Sequence, residues 1–178
     1  MSLVDDLIAR LSSCPPGLAG WQDFEDVCID ILRYSFVPPL SEPHIQSRTY
    51  SGIDRRDAIF PNRAPETRNW KLLLEELSAR LILCEFKNYG SSEIGKDEVD
   101  QARNYLKKTM GRLALLICNK PPNEAAHIRR NSVFSEESKV ILFLTPEDLI
   151  ELMYIKERGE DPSDLIVDLV EQFYLQHE

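Results

Sequence analysis

Apolar positions along the chain fall into two periods, and they predict alternating helices and strands. Val4, Leu7, Ile8 and Leu11 have helical spacing and make a short first helix, which Cys14-Pro15-Pro16-Gly17 breaks. Trp21, Phe24, Cys28, Ile31 and Leu32 form the stripe of a second helix over about Gly20 to Tyr34. The segment from His44 to Tyr50 reads as a first strand, and Ile53 to Phe60 leads into a second. Trp70 to Ala79 reads as a short helix with Leu73, Leu74 and Leu77 inward. Leu81-Ile82-Leu83-Cys84 begins a third strand, apolar on both faces as in the middle of a covered sheet. Asp97 to Met110 is a helix with Val99, Ala102, Leu106 and Met110 as its stripe, ended by Gly111. Leu113 to Cys118 is a fourth, buried strand, Glu124 to Val133 a helix and Val140 to Leu144 a fifth strand. Thr145-Pro146-Glu147-Asp148 and Asp161-Pro162-Ser163-Asp164 start two last helices, the second running to about Gln176. This order predicts one α/β domain over residues 1–178, with a mixed sheet of about five strands flanked by helices. Its core lies at about 20–145 and a helical C-terminal part at about 145–176.

The third strand contains an anomaly. Its apolar run continues into Glu85-Phe86-Lys87, and the strand period of two puts Glu85 and Lys87 on one face. A charged pair at the end of a central strand is costly unless it binds something. Asp57 begins the second strand. If the two strands are antiparallel neighbours, Asp57 and Glu85 meet at one edge of the sheet. Two anions held close repel unless a cation lies between them, and hard oxygen ligands suit Mg²⁺ or Mn²⁺. Lys87 could then hold an attacking water or a phosphoryl oxygen. The spacing Glu-x-Lys alone is weak evidence, because Glu137-Ser138-Lys139 repeats it in a polar loop with no strand-borne acid to partner it. Glu25 flanks the buried face of the second helix, so its carboxylate either reaches solvent or aims at the site. Gln101 and Tyr105, four apart, share one flank of their helix.

Charge distribution changes the picture of the partner. The net charge of −9 alone speaks against nucleic acid, yet residues 44–130 carry 16 basic and 11 acidic side chains. A basic surface around the third strand, flanked by acidic helices, fits a polyanion. Four cysteines without metal-ligand spacing suggest core thiols in a reduced cytoplasm, and three scattered histidines argue against a zinc site. No secretory signal or membrane-spanning run is expected.

Arg55-Arg56-Asp57-Ala58-Ile59-Phe60, Cys84-Glu85-Phe86-Lys87-Asn88-Tyr89 and the Gln101/Tyr105 pair together resemble the PD-(D/E)XK phosphodiesterases, the restriction-endonuclease-like superfamily. The likeness is greatest to Mrr-like, defence-associated nuclease domains, and runs from Phe24-Glu25 through the last helices. It implies a three-layer restriction-endonuclease-like fold and Mg²⁺- or Mn²⁺-dependent hydrolysis of DNA, with double-stranded DNA as the partner. It implies Asp57 and Glu85 as metal-binding acids, the Phe86 carbonyl as a backbone ligand and Lys87 as the catalytic lysine. Glu25 matches an acid of the first core helix, and Gln101 and Tyr105 a pair beside the site. Departures are the missing proline before Asp57 and a Gly52-Ile53-Asp54 phrase that makes Asp54 an alternative metal ligand. No added DNA-reading domain is evident. Three functions are open: a DNA nuclease, in which a homodimer would serve double-strand cutting; a catalytically inactive module binding nucleic acid or protein; and a phosphoesterase acting on nucleotides.

Overall fold

The computed structural model describes residues 2–177. Among them, seven helices flank a five-stranded mixed sheet, in a three-layer α/β arrangement. The helices are α1 (Leu3–Ser13), α2 (Trp21–Phe36), α3 (Arg68–Leu77), α4 (Lys96–Tyr105), α5 (Glu124–Glu137), α6 (Pro146–Glu157) and α7 (Ser163–Gln176). The strands are β1 (His44–Arg48), β2 (Arg55–Pro61), β3 (Leu81–Lys87), β4 (Leu113–Cys118) and β5 (Val140–Leu144), side by side in chain order. β1, β2 and β3 are antiparallel neighbours; β3, β4 and β5 run parallel, joined by α4 and α5.

Strand alternation sorts the central side chains into two cores. Ile82, Cys84 and Phe86 of β3, with Leu113, Leu115 and Ile117 of β4, face a layer built from α1, α2, α3, α6 and α7. Leu83 of β3, with Ala114, Leu116 and Cys118 of β4, faces α4 and α5 through Val99, Ala102, Ala126 and Val133. Both faces are therefore dry, which explains the unbroken apolar runs of β3 and β4. Glu85 and Lys87 share the parity of Leu83, so they belong to the α4 face. Cys28, Cys84 and Cys118 are fully buried free thiols. Among the described residues no helix is long and apolar enough to cross a membrane.

Element ends depart from the pattern where tertiary contacts override it. α2 continues past Tyr34 to Phe36, whose ring packs edge-on against Trp70 at 5.1 Å and Phe60 at 6.4 Å. α4 stops at Tyr105 instead of Met110, although Leu106 and Met110 stay buried in the turn that follows. β1 ends at Arg48 and β2 starts at Arg55, because Thr49–Asp54 forms a closed turn that leaves Tyr50 and Ile53 exposed. α3 and α5 each differ by a turn or less, starting at Arg68 and ending at Glu137. Trp21, expected on the buried stripe of α2, is 43% exposed. It sits on the first turn of α2, over a cleft rather than the sheet.

Gly111 links α4 to β4 at φ +79°, and a Cβ there would lie 2.1 Å from the Ser78 carbonyl oxygen. Both the left-handed backbone and the closeness of the neighbouring chain exclude a side chain. Gly111→Ala is expected to cost about 3 kcal/mol, a fall in Tm of roughly 6–12 °C on calorimetry.

Candidate metal centre at the end of β3

The ladder between β2 and β3 ends at Ala58 opposite Cys84. One step further, continuing the register places Asp57 opposite Glu85, where paired residues have Cβ atoms roughly 4.5–5.5 Å apart. Here side chains replace the ladder. Asp57 donates its backbone N–H to Glu85 Oε1 at 3.3 Å, and Phe86 donates its N–H to Asp57 Oδ2 at 3.0 Å. The strands thus part around two carboxylates that each accept a main-chain hydrogen bond.

Lys87 lies on the same face, its Nζ 3.9 Å from Glu85 Oε2. It donates to Gln101 Oε1 at 2.6 Å, and Gln101 donates in turn to the Tyr105 hydroxyl at 3.1 Å. α4 presents both residues, because four residues is close to one helical turn. The ammonium is thereby fixed by its helix neighbour as well as by Glu85.

Glu25 is 5% exposed, which decides between the two orientations open in the sequence: the carboxylate points inward. It accepts a hydrogen bond from Gln46 Nε2 at 3.2 Å. Gln46, unnoticed in the sequence, sits on β1 where the register places Asp57 beside it. Its φ of +50° takes it out of extended geometry. A non-glycine residue in that region is strained, and such strain gathers at functional sites. Nothing in the pattern of β1 signals this, because a left-handed residue inside a strand has no compositional mark.

Asp54, the alternative ligand, lies elsewhere. The Thr49–Asp54 turn carries it to Lys107, 3.5 Å from Nζ. The second Glu-x-Lys is a surface arrangement, with Glu137 pairing with Lys139 and Arg103.

The electrostatics of the row are those of a charge imbalance. Glu85 is 1% exposed, and burial together with the Asp57 carboxylate raises its pKa from 4.5 to about 8 despite Lys87. Burial also raises Asp57 and Glu25. Asp57 and Glu25 both act on Glu85 through their charge, and Lys87 offsets them only in part, so without a further cation Glu85 is held in its protonated form near neutral pH. Among the described residues no three His, Cys, Asp or Glu side chains converge into a ready metal cage. The nearby donors are two carboxylates with free lone pairs. Mg²⁺ prefers such a set, being commonly held by one or two carboxylates while keeping several waters. The chemistry of the donors therefore fits Mg²⁺ or Mn²⁺, and does not fit a soft or all-protein site.

A cleft of about 570 Å³ opens beside this row, lined by Leu18, Trp21, Phe86, Lys87 and Tyr89. Asn88 donates to the carbonyls of Pro15 and Gly17 at 2.9 and 3.1 Å, which ties the turn before α2 to the end of β3. Gly20 completes that turn, since a Cβ there would sit 1.9 Å from the Pro15 oxygen. The exposed faces of Leu18 and Trp21 thus form a fixed wall next to Lys87.

Over 168 residues the chain is 26% identical to an 80.3 kDa protein of transposon gamma-delta from Escherichia coli (strain K12). That match takes in 92% of the chain but 23% of the relative's length. No family model matches the sequence. No solved structure matches it either.

Proposed function

We propose that the chain is a metal-dependent nuclease domain that hydrolyses phosphodiester bonds of double-stranded DNA. The observation that carries this reading is the row Asp57–Glu85–Lys87, in which two carboxylates at the end of β3 each accept a main-chain N–H and one ammonium lies 3.9 Å from Glu85. Asp57, Glu85 and the Phe86 carbonyl would hold Mg²⁺ or Mn²⁺. Once bound, such an ion would polarise a phosphoryl oxygen and ease ionisation of the attacking water. Lys87 Nζ, kept in place by Gln101 and Tyr105, would orient that water or take the charge that develops on phosphorus oxygens. Glu25, held by Gln46, would add a further carboxylate charge near Asp57. The cleft by Trp21 offers room for the substrate next to the lysine. The transposon in the name of the E. coli relative is a DNA context, and agrees with this reading.

Supercoiled plasmid incubated with the protein and Mg²⁺ or Mn²⁺ should be nicked, and EDTA should stop it. Asp57→Asn should remove the activity while Asp54→Asn, at the Lys107 pair, should leave at least about half of it. Loss in Asp54→Asn with retention in Asp57→Asn would assign the metal to the wrong acid here. Activity on mononucleotides that exceeds activity on DNA would turn the reading into a small phosphoesterase.

A second reading rests on charge: the net charge is −9, and residues 131–178 carry 12 acidic and 3 basic side chains. On that reading the fold binds nucleic acid or protein without catalysis. Calorimetry separates the two, since only the enzyme should bind Mn²⁺ in a manner lost with Asp57→Asn.

A further inference from the structure

Arg130 is a half-buried cation that makes no ion pair among the described residues. It lies midway along α5, with its guanidinium carbon 4.5 Å from the Phe143 ring centre and 5.0 Å from that of Phe173. Phe143 belongs to the edge strand β5 and Phe173 to α7, so Arg130 fills the seam where the two apolar layers meet beyond the sheet. Its Nε is sealed from solvent and has no hydrogen-bond partner among the described residues. The neighbouring Arg129, by contrast, pairs with Asp100 at 2.7 Å. Two rings over a guanidinium stabilise it as a cation but satisfy none of its N–H donors.

Arg130 borders a cavity of about 280 Å³, together with Pro121, His127, Thr145, Gln172 and Gln176. No Asp or Glu lines it. That exclusion is informative, because residues 131–178 carry 12 acidic and 3 basic side chains. The lining is otherwise largely apolar, through Leu142, Phe143, Leu169 and Phe173, and the Thr145 hydroxyl donates to Asp148 at 3.2 Å, so the donors left to an oxyanion are the guanidinium and the amides of Gln172 and Gln176. The volume is just under the roughly 300 Å³ at which ordinary small-molecule sites begin, so it suits a group no larger than a nucleotide.

We propose that this cavity binds a phosphate group, with Arg130 as its cationic anchor and Gln172 and Gln176 as neutral hydrogen-bonding partners. Pro121 follows β4 and Thr145 follows β5, so the cavity opens at the strand ends where Lys87 terminates β3. Two strand spacings, about 10 Å, separate β5 from β3. The phosphate therefore belongs either to a free nucleotide or to the backbone of a strand lying along that edge. Phosphate binding at Arg130 does not depend on the nuclease reading.

The probe is inorganic phosphate at about 10 mM against chloride of equal ionic strength, read as a thermal shift on the full chain. The wild type should gain about 3–5 °C, as expected for a dissociation constant near 1 mM. Arg130→Met, which keeps the apolar packing, should lose the gain, and Lys87→Met should keep it. No gain in the wild type, or an equal gain in Arg130→Met, would overturn the proposal. Should Arg130→Met fail to fold, the Arg130 Nε–H resonance of the wild type serves instead: it must move saturably with phosphate, and an unmoved signal rejects the site. A nucleoside 5′-monophosphate that shifts Tm more than phosphate would identify the free ligand as the source. A short duplex bound about tenfold more weakly by Arg130→Met would identify the backbone.

Discussion

Lys87→Met should reduce metal-dependent cleavage of plasmid DNA by about 10³-fold or more and leave the fold intact. Positioned proton-transfer or charge-stabilising groups contribute about 10²–10⁴-fold, and Lys87 is the one ammonium within 4 Å of the buried acids among the described residues. Methionine replaces the length of the side chain without its charge. The loss should fall on kcat, because the proposed role of Lys87 is on charge that develops in the transition state, and KM should change little. Gln101→Leu should produce a smaller loss, about tenfold, because it frees the ammonium from its 2.6 Å anchor without removing it. Wild-type cleavage by Lys87→Met would place the chemistry elsewhere. A tenfold rise in KM at unchanged kcat would make Lys87 a binding residue only.

Glu85→Gln is expected to stabilise the metal-free protein at pH 8 while abolishing cleavage. Folded Glu85 ionises at about 8, and its ordinary value is 4.5. Between these values the folded chain keeps a proton that the unfolded chain has released. Stability is therefore highest at low pH and declines as pH rises through this window, levelling off above pH 8. Each pH unit is worth about 1.4 kcal/mol per group at most, and relaxation of the site reduces this to about 2–4 kcal/mol in total. Glutamine keeps the shape and an acceptor for the Asp57 N–H but carries no charge. Its Tm at pH 8 should exceed that of the wild type by roughly 4–16 °C, and the difference should vanish near pH 4.5. Added Mn²⁺ should raise the wild type and leave Glu85→Gln unmoved. An unstable Glu85→Gln at pH 8 would show that the carboxylate is satisfied in the fold and needs no cation.

The parts of this site that local chemistry controls could be read from the chain. β3 announces itself by an apolar run that ends in Glu85 and Lys87, and the period of two puts them on one face. The antiparallel pairing of β2 and β3, on which the meeting of Asp57 and Glu85 is conditional, is present and brings the two together. The parts set by long-range contacts could not be read. Glu25 stands at the boundary of its helix stripe, where a pattern cannot say whether a carboxylate turns in or out. Gln46 gains its place from a left-handed backbone inside β1, which no residue type announces. Trp21 looked like core because it is apolar and in phase, yet the turn fastened by Asn88 lifts it over a cleft. Asp54 and Asp57 are both acids near the start of β2, and only the 3.5 Å contact of Asp54 with Lys107, fifty-three residues on, separates them. Arg130 was legible as one of two arginines on α5; its position between Phe143 and Phe173 required two more elements in space.

Crystals soaked in Mn²⁺ at pH 8 and measured at an anomalous wavelength test the metal centre most directly. An anomalous peak shared by the Asp57 and Glu85 carboxylates, with Lys87 Nζ close by but not ligating, is the predicted result. A peak on Asp54, or none at the end of β3 at millimolar Mn²⁺, would contradict it.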